Sequence, residues 1–170
     1  MTTEELLNRA EDTGLSYKKR IGYGIKAITE IKERCQLEVH GRYQETDLRA
    51  EMIKIAQKNS FPIEVRKMAG ETALGKPGER SDAFLGEMFD NLNLPNDVIK
   101  IVAKELILRY EIREDRANLK VMQIDERIHS LGLDLYINSV LLRMKPCTDR
   151  AFHIARKPRQ SGMRTQRAIA

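Results

Sequence analysis

The chain has 170 residues, 41% of them apolar and 32% charged, with a formal net charge of +5 and no tryptophan. That length allows one domain of ordinary size with a buried core. An aromatic content of 5% argues against a large aromatic-lined ligand pocket.

The first residues, Met1-Thr2-Thr3-Glu4-Glu5, are acidic and lack the apolar stretch of a signal peptide or the Arg-rich character of a transit peptide. Thr2 or Thr3 caps a first short helix. Thr2 and Glu5 have capping-box spacing, and Gly14 ends the element. A second helix is expected from Ser16 into the thirties, with Ile21, Ile25 and Ile28 on one buried face and Ile31 and Cys35 extending it. Gly22 and Gly24 weaken its start, by up to about 1 kcal/mol each relative to Ala. Residues 37–44 leave two readings open, continuation of the helix or a break at Gly41.

Thr46 or Asp47 opens the next helix, through Leu48, Met52, Ile55 and Ala56, and Asn59-Ser60 closes it. Pro62 starts another at its favoured first-turn position, carrying Ile63, Val65, Met68, Ala69 and Leu74. Gly75-Lys76-Pro77-Gly78 is a turn. Ser81 caps a helix with Phe84, Leu85, Met88, Phe89 and Leu92 facing inward, and Asn93-Leu94-Pro95 repeats the stop and restart. The helix that follows carries Val98, Ile99, Ile101, Val102, Leu106 and Ile107. Leu119, Met122 or Val121, and Ile128 share one further helix, Gly132 breaks it, and Tyr136, Ile137, Val140 and Leu141 lie on the last. The alternation in 131–137 also has strand character, but it lacks a clear pairing partner, so helix is preferred.

Phe61-Pro62-Ile63-Glu64-Val65-Arg66-Lys67-Met68 and Leu94-Pro95-Asn96-Asp97-Val98-Ile99-Lys100-Ile101 overlay at an offset of 33. Helical hairpins recurring at about 30–40 residues cannot bury their faces singly and stack. The pattern resembles HEAT-like helical-repeat proteins, in which an apolar-Pro step followed by an acid and Val opens the second helix of each pair. The resemblance covers residues 47–144 and implies stacked helical hairpins, an irregular helical bundle being the alternative. The fold class is all-α, with a helical domain over 1–144 and a basic arm over 145–170.

The arm is the main functional signal. Lys145, Arg150, Arg156, Lys157, Arg159, Arg164 and Arg167 face a single acid, Asp149, which leaves +6 in the arm and −1 in the first 144 residues. Guanidinium groups grip phosphate bidentately and stack on bases, and Arg exceeds Lys here by five to two. Pro146, Pro158 and Gly162 oppose a long helix. Phe152 offers one ring for stacking, and Ser161 and Thr165 are hydroxyls that phosphorylation would turn acidic. Arg150, Arg156, Lys157, Arg159, Arg164 and Arg167 are the expected phosphate contacts, joined by Lys18, Lys19 and Arg20. Nucleic acid or a ribonucleoprotein is the expected partner. The alternative is a protein–protein adaptor or small helical subunit of a larger complex, with the arm inserted into a partner subunit; the arm could also dock on an acidic protein surface or have no specific partner.

Other constellations carry less. Glu126 and His129 share a helix face in an E-x-x-H pair, but carboxylate-bridged metal sites need a second such motif. Cys35 with His40, and Cys147 with His153, lack the paired short spacing of a zinc site and the closeness a thiol nucleophile needs. Gly22-Tyr23-Gly24 and Gly75–Gly78 do not fit a phosphate loop. Glu111 to Arg116 reads as a solvated helix face with acids and bases three to four apart. No catalytic residue, metal or cofactor is expected. No apolar run approaches the roughly 20 residues that span a bilayer, so no membrane partner is expected and the location is read as cytoplasmic.

Overall fold

In the computed structural model, which describes residues 1–37, 45–78 and 80–144, every regular element is a helix. In chain order these are α1 (Thr3–Glu11), α2 (Tyr17–Leu37), α3 (Glu45–Gln57), α4 (Ile63–Leu74), α5 (Asp82–Asp90), α6 (Asn96–Ile112), α7 (Arg116–Gln123), α8 (Glu126–Ser130) and α9 (Asp134–Arg143). They form four hairpins. α1 packs on α2, α3 on α4, α5 on α6, and α7 with α8 on α9. The second helices α2, α4, α6 and α9 then contact one another in succession, which builds the stack.

The caps follow from side chains named in the sequence. Thr2 Oγ1 accepts from the Glu5 amide at 3.2 Å, and Glu5 Oε2 accepts from the Thr2 amide at 2.8 Å. Ser81 Oγ accepts from the Phe84 amide at 3.1 Å. Pro62 and Pro95 sit one residue earlier than expected. Their ψ values of 146° and 140° are extended, so each proline ends the turn and Ile63 and Asn96 begin the helices.

One core runs through all four hairpins, including Ile28, Ile31, Val65, Leu85, Val98, Val102, Leu106, Ile107, Leu119, Ile128, Ile137 and Val140. Two small residues let the second helices approach. A β-carbon on Gly24 would lie 2.4 Å from Cγ2 of Val65, and one on Gly70 would lie 2.7 Å from Cγ2 of Val98. Gly24 and Gly70 are each eight residues past the start of their restart motif, at Ser16 and Pro62. Val65 and Val98 are each three past Pro62 and Pro95. The same crossing is thus built twice.

An arginine ties each of the first two hairpins to the next. Arg20 donates from Nε to the Ala10 carbonyl, which belongs to the last turn of α1, and from Nη2 to the Ser60 carbonyl in the following hairpin. Arg66 repeats this on Ala56 and Asn93. The corresponding carbonyl in the third hairpin is that of Phe89, but the position equivalent to Arg66 is Ile99. Arg127 supplies the donor from the next hairpin instead, with its guanidinium 4.3 Å from the Phe89 ring centroid. Carbonyls in a helix's last turn lack intrahelical partners, so each of these donors stabilises an end that would otherwise need water.

The structure corrects several expectations. Ile25, Ile101 and Leu92 are 40%, 38% and 78% exposed; the inner face of α2 is made by Gly24, Ala27, Ile28 and Ile31. Leu119 and Ile128 do not share a helix: Asp125 accepts from the Arg127 amide and starts α8 anew. Glu111 to Arg116 is no single helix face. α6 ends at Ile112, Glu114 has φ 55°, and Asp115 caps α7 by accepting from Asn118. Its charges pair at long range, Arg113 with Asp82 and Arg143 with Glu111. The segment 131–137 is a turn leading into α9, with no strand among the described residues.

Candidate nucleic-acid interface

Charge is unevenly divided among the helices. Counted over their full lengths, the second helices α2, α4, α6 and α9 hold 12 Lys and Arg against 8 Asp and Glu, a net of +4. The helices that precede them in each hairpin hold 6 against 10, a net of −4. The positive balance is all in α2, since α4, α6 and α9 are each neutral.

Most arginines of the body are engaged internally. Arg20, Arg66 and Arg127 bind carbonyls as described, and Arg116 donates to Met144. Arg34 pairs with Glu51 at 3.6 Å. Arg80, buried among the ends of α4 and α6, donates to the Leu74 and Gly75 carbonyls at 2.7 Å each and to Glu105. Arg109 bridges Asp82 and Glu105 at 2.7 and 2.8 Å, and Arg113 also reaches Asp82. The Arg113 and Arg109 guanidiniums hold the Asp82 carboxyl below its ordinary value. Arg127 does the same to Asp125. This network holds the Gly75 carbonyl, Arg80 and Asp82 against α6.

The lysines behave differently. Lys18, Lys19, Lys26 and Lys32 are exposed along α2, and none makes an ion pair or hydrogen bond with another described residue. Lys18, Gly22, Ile25, Lys26 and Thr29 fall at three-to-four spacing on one side of the helix. Glu33 is the exposed acid on that side, whereas Glu30 accepts from Thr3. Tyr17 begins the helix, its hydroxyl donating to Glu64 Oε2 of α4 at 2.7 Å; that bond holds the phenol above its ordinary value. Lys67 of α4 is paired with Asp97 of α6 at 3.0 Å.

Of the cations singled out in the sequence, Lys18 and Lys19 are therefore open to solvent, and Arg20 is occupied by two backbone carbonyls. Arg150, Arg156, Lys157, Arg159, Arg164 and Arg167 lie outside the described residues. Lys26 and Lys32 were not read as part of a site. Their signal was the spacing Lys18, Gly22, Lys26, each one helical turn apart.

Gly22 has no local explanation. A β-carbon there would meet nothing within 4 Å, and its φ is not in the left-handed region. A glycine inside a helix destabilises it by about 1 kcal/mol relative to Ala. Gly24 offsets that with the Val65 contact; Gly22 has no such compensation.

The E-x-x-H pair lies on the short helix α8, where His129 Nδ1 is 3.1 Å from Asp134 Oδ1. Among the described residues no group of three or more His, Cys, Asp or Glu side chains could hold a metal ion. No helix among them is long and apolar enough to cross a membrane.

Among the described residues, fold and surface together define an all-helical stack of hairpins whose positive balance lies in α2. Comparison with protein-family models, curated proteins and solved structures finds no match to this chain.

Proposed function

We propose that this chain is a non-enzymatic binding protein that contacts nucleic acid or a ribonucleoprotein through its basic arm, with the hairpin stack as the platform. The observation that carries the reading is the division of charge between the body and the arm. Nine arginines of the body are engaged with carbonyls or carboxylates of the body itself, so they neutralise little outside it. The arm adds +6 in the sequence that follows Met144, beyond the last helix of the described residues. A polyanion gains most where cations are dense in the chain, and phosphate contacts release counterions.

Titrating binding of single-stranded RNA and duplex DNA from about 50 to 200 mM salt tests this reading. The full chain should bind both with a steep salt dependence. Replacing Arg156, Arg159, Arg164 and Arg167 by Gln should flatten the slope by about three to four. Equal binding by the substituted and unsubstituted chains sinks the reading.

A second reading, a protein adaptor or small subunit of a larger assembly, is favoured by the last hairpin. Ile124, Leu135 and Leu142 are 82%, 83% and 86% exposed there. Terminal units of stacked-hairpin proteins are usually covered by polar residues. A stoichiometric protein that co-purifies through nuclease and high salt would favour this alternative.

A further inference from the structure

We infer that the exposed side of α2 from Lys18 to Lys32 is a contact surface for the sugar–phosphate backbone of nucleic acid, with Gly22 at its point of closest approach. The inference deepens the proposed function and rests on it: it adds to the arm a second contact surface, on the folded body.

Two independent observations meet at this surface. The first is charge. α2 carries the whole positive balance of the second helices. Four of its lysines, Lys18, Lys19, Lys26 and Lys32, are exposed and unpaired among the described residues. The two arginines of the helix are occupied, one by carbonyls and one by Glu51. An ammonium on a flexible stem suits non-specific phosphate contact, whereas base reading would need donors and acceptors fixed in place. From Lys18 to Lys32 the helix advances about 21 Å. That is the axial rise of about six nucleotides in one strand of a duplex.

The second observation is Gly22. It lies one turn after Lys18 and one turn before Lys26, on the same side of the helix. The space over it is empty, so neither packing nor backbone conformation accounts for it. Glycine does allow another backbone to come close to the helix axis. Gly86 in α5 has the same open space, so what sets Gly22 apart is its place between the exposed Lys18 and Lys26. The flanking ammonium groups then reach around a strand seated over the glycine. The partner this surface fits is a polyphosphate backbone rather than an acidic helix, because Glu33 is its one exposed acid and Ile25 its one exposed large apolar side chain.

The test uses the full chain, a labelled single-stranded RNA oligonucleotide and a labelled DNA duplex, with thermal melts run on every variant. Gly22→Ala should melt at or above the temperature of the unsubstituted chain and yet bind about three- to tenfold more weakly. A stability defect cannot produce that combination. Lys18→Gln, Lys26→Gln and Lys32→Gln together should weaken binding at least tenfold and flatten the salt slope by about two to three. If both α2 variants bind like the unsubstituted chain while the arm variant loses affinity, the α2 surface is refuted and the arm reading survives. If the unsubstituted chain binds neither probe at low salt, both fall. Loss of an acidic protein partner by the α2 variants, with nucleic-acid binding intact, also overturns the inference.

Discussion

Val65 occupies the space that a side chain on Gly24 would need: a β-carbon on Gly24 would stand 2.4 Å from Cγ2 of the valine. Gly70 and Val98 repeat the relationship one hairpin later at 2.7 Å. These contacts set how closely α2, α4 and α6 stack, and they separate two glycines that look alike in the sequence.

Gly24→Ala and Gly70→Ala should each destabilise the fold by about 1–3 kcal/mol, because the added methyl forces apart helices whose contact is a branched side chain. Gly22→Ala should shift stability the other way, by up to about 1 kcal/mol. Urea denaturation of the three variants measures this, and a loss of stability in Gly22→Ala would contradict the open space seen there.

The arginine ties should be stronger than ordinary surface contacts. Arg66→Gln removes charge-assisted bonds to the Ala56 and Asn93 carbonyls and should lower stability by about 2 kcal/mol. Arg20→Gln should behave alike, since it makes the same two kinds of bond. Hydrogen exchange at the ends of α1 and α3 would report local opening in the respective variants.

Arg80→Met tests the buried network. It strands the Leu74 and Gly75 carbonyls and leaves Glu105 with Arg109 alone, for a loss on the order of 3 kcal/mol. The midpoint of chemical denaturation should fall well below that of Arg113→Gln, since the Arg113 side chain is more than half exposed.

Asp82 makes part of the stability pH-dependent. Arg113 and Arg109 lower its folded pKa below the ordinary 3.8, so the folded state favours the charged carboxylate. That contribution is complete above the unfolded value and is lost as pH falls through the lower, folded one. Unfolding midpoints measured from neutral pH down through about 4 and below should drop less steeply for Asp82→Asn than for the unsubstituted chain. At neutral pH the variant should be the less stable of the two.

Much of the architecture was legible in local chemistry. The Thr2–Glu5 capping box and the Ser81 cap set helix starts through bonds within three residues, and the two prolines do so through their fixed φ; such signals survive in one dimension. The first hairpin was read as helices but not as a repeat. Leu15-Ser16 stands where later hairpins have Phe61-Pro62 and Leu94-Pro95, and Lys19 stands where they have Val65 and Val98. What revealed the equivalence was Arg20 and Gly24 making the contacts of Arg66 and Gly70, which depend on residues tens of positions away.

By itself, then, the sequence determined the all-helical class, most of the helix starts and the concentration of positive charge after Met144, because composition and i to i+4 spacing act locally; the break between α7 and α8 was not among them. Only the tertiary structure decided which cations are available. It assigned most body arginines to carbonyls and carboxylates brought near by stacking, and it left the lysines of α2 in solvent. It also distinguished Gly24, held by Val65, from Gly22, which has nothing above it, since a close approach exists only once two helices have met.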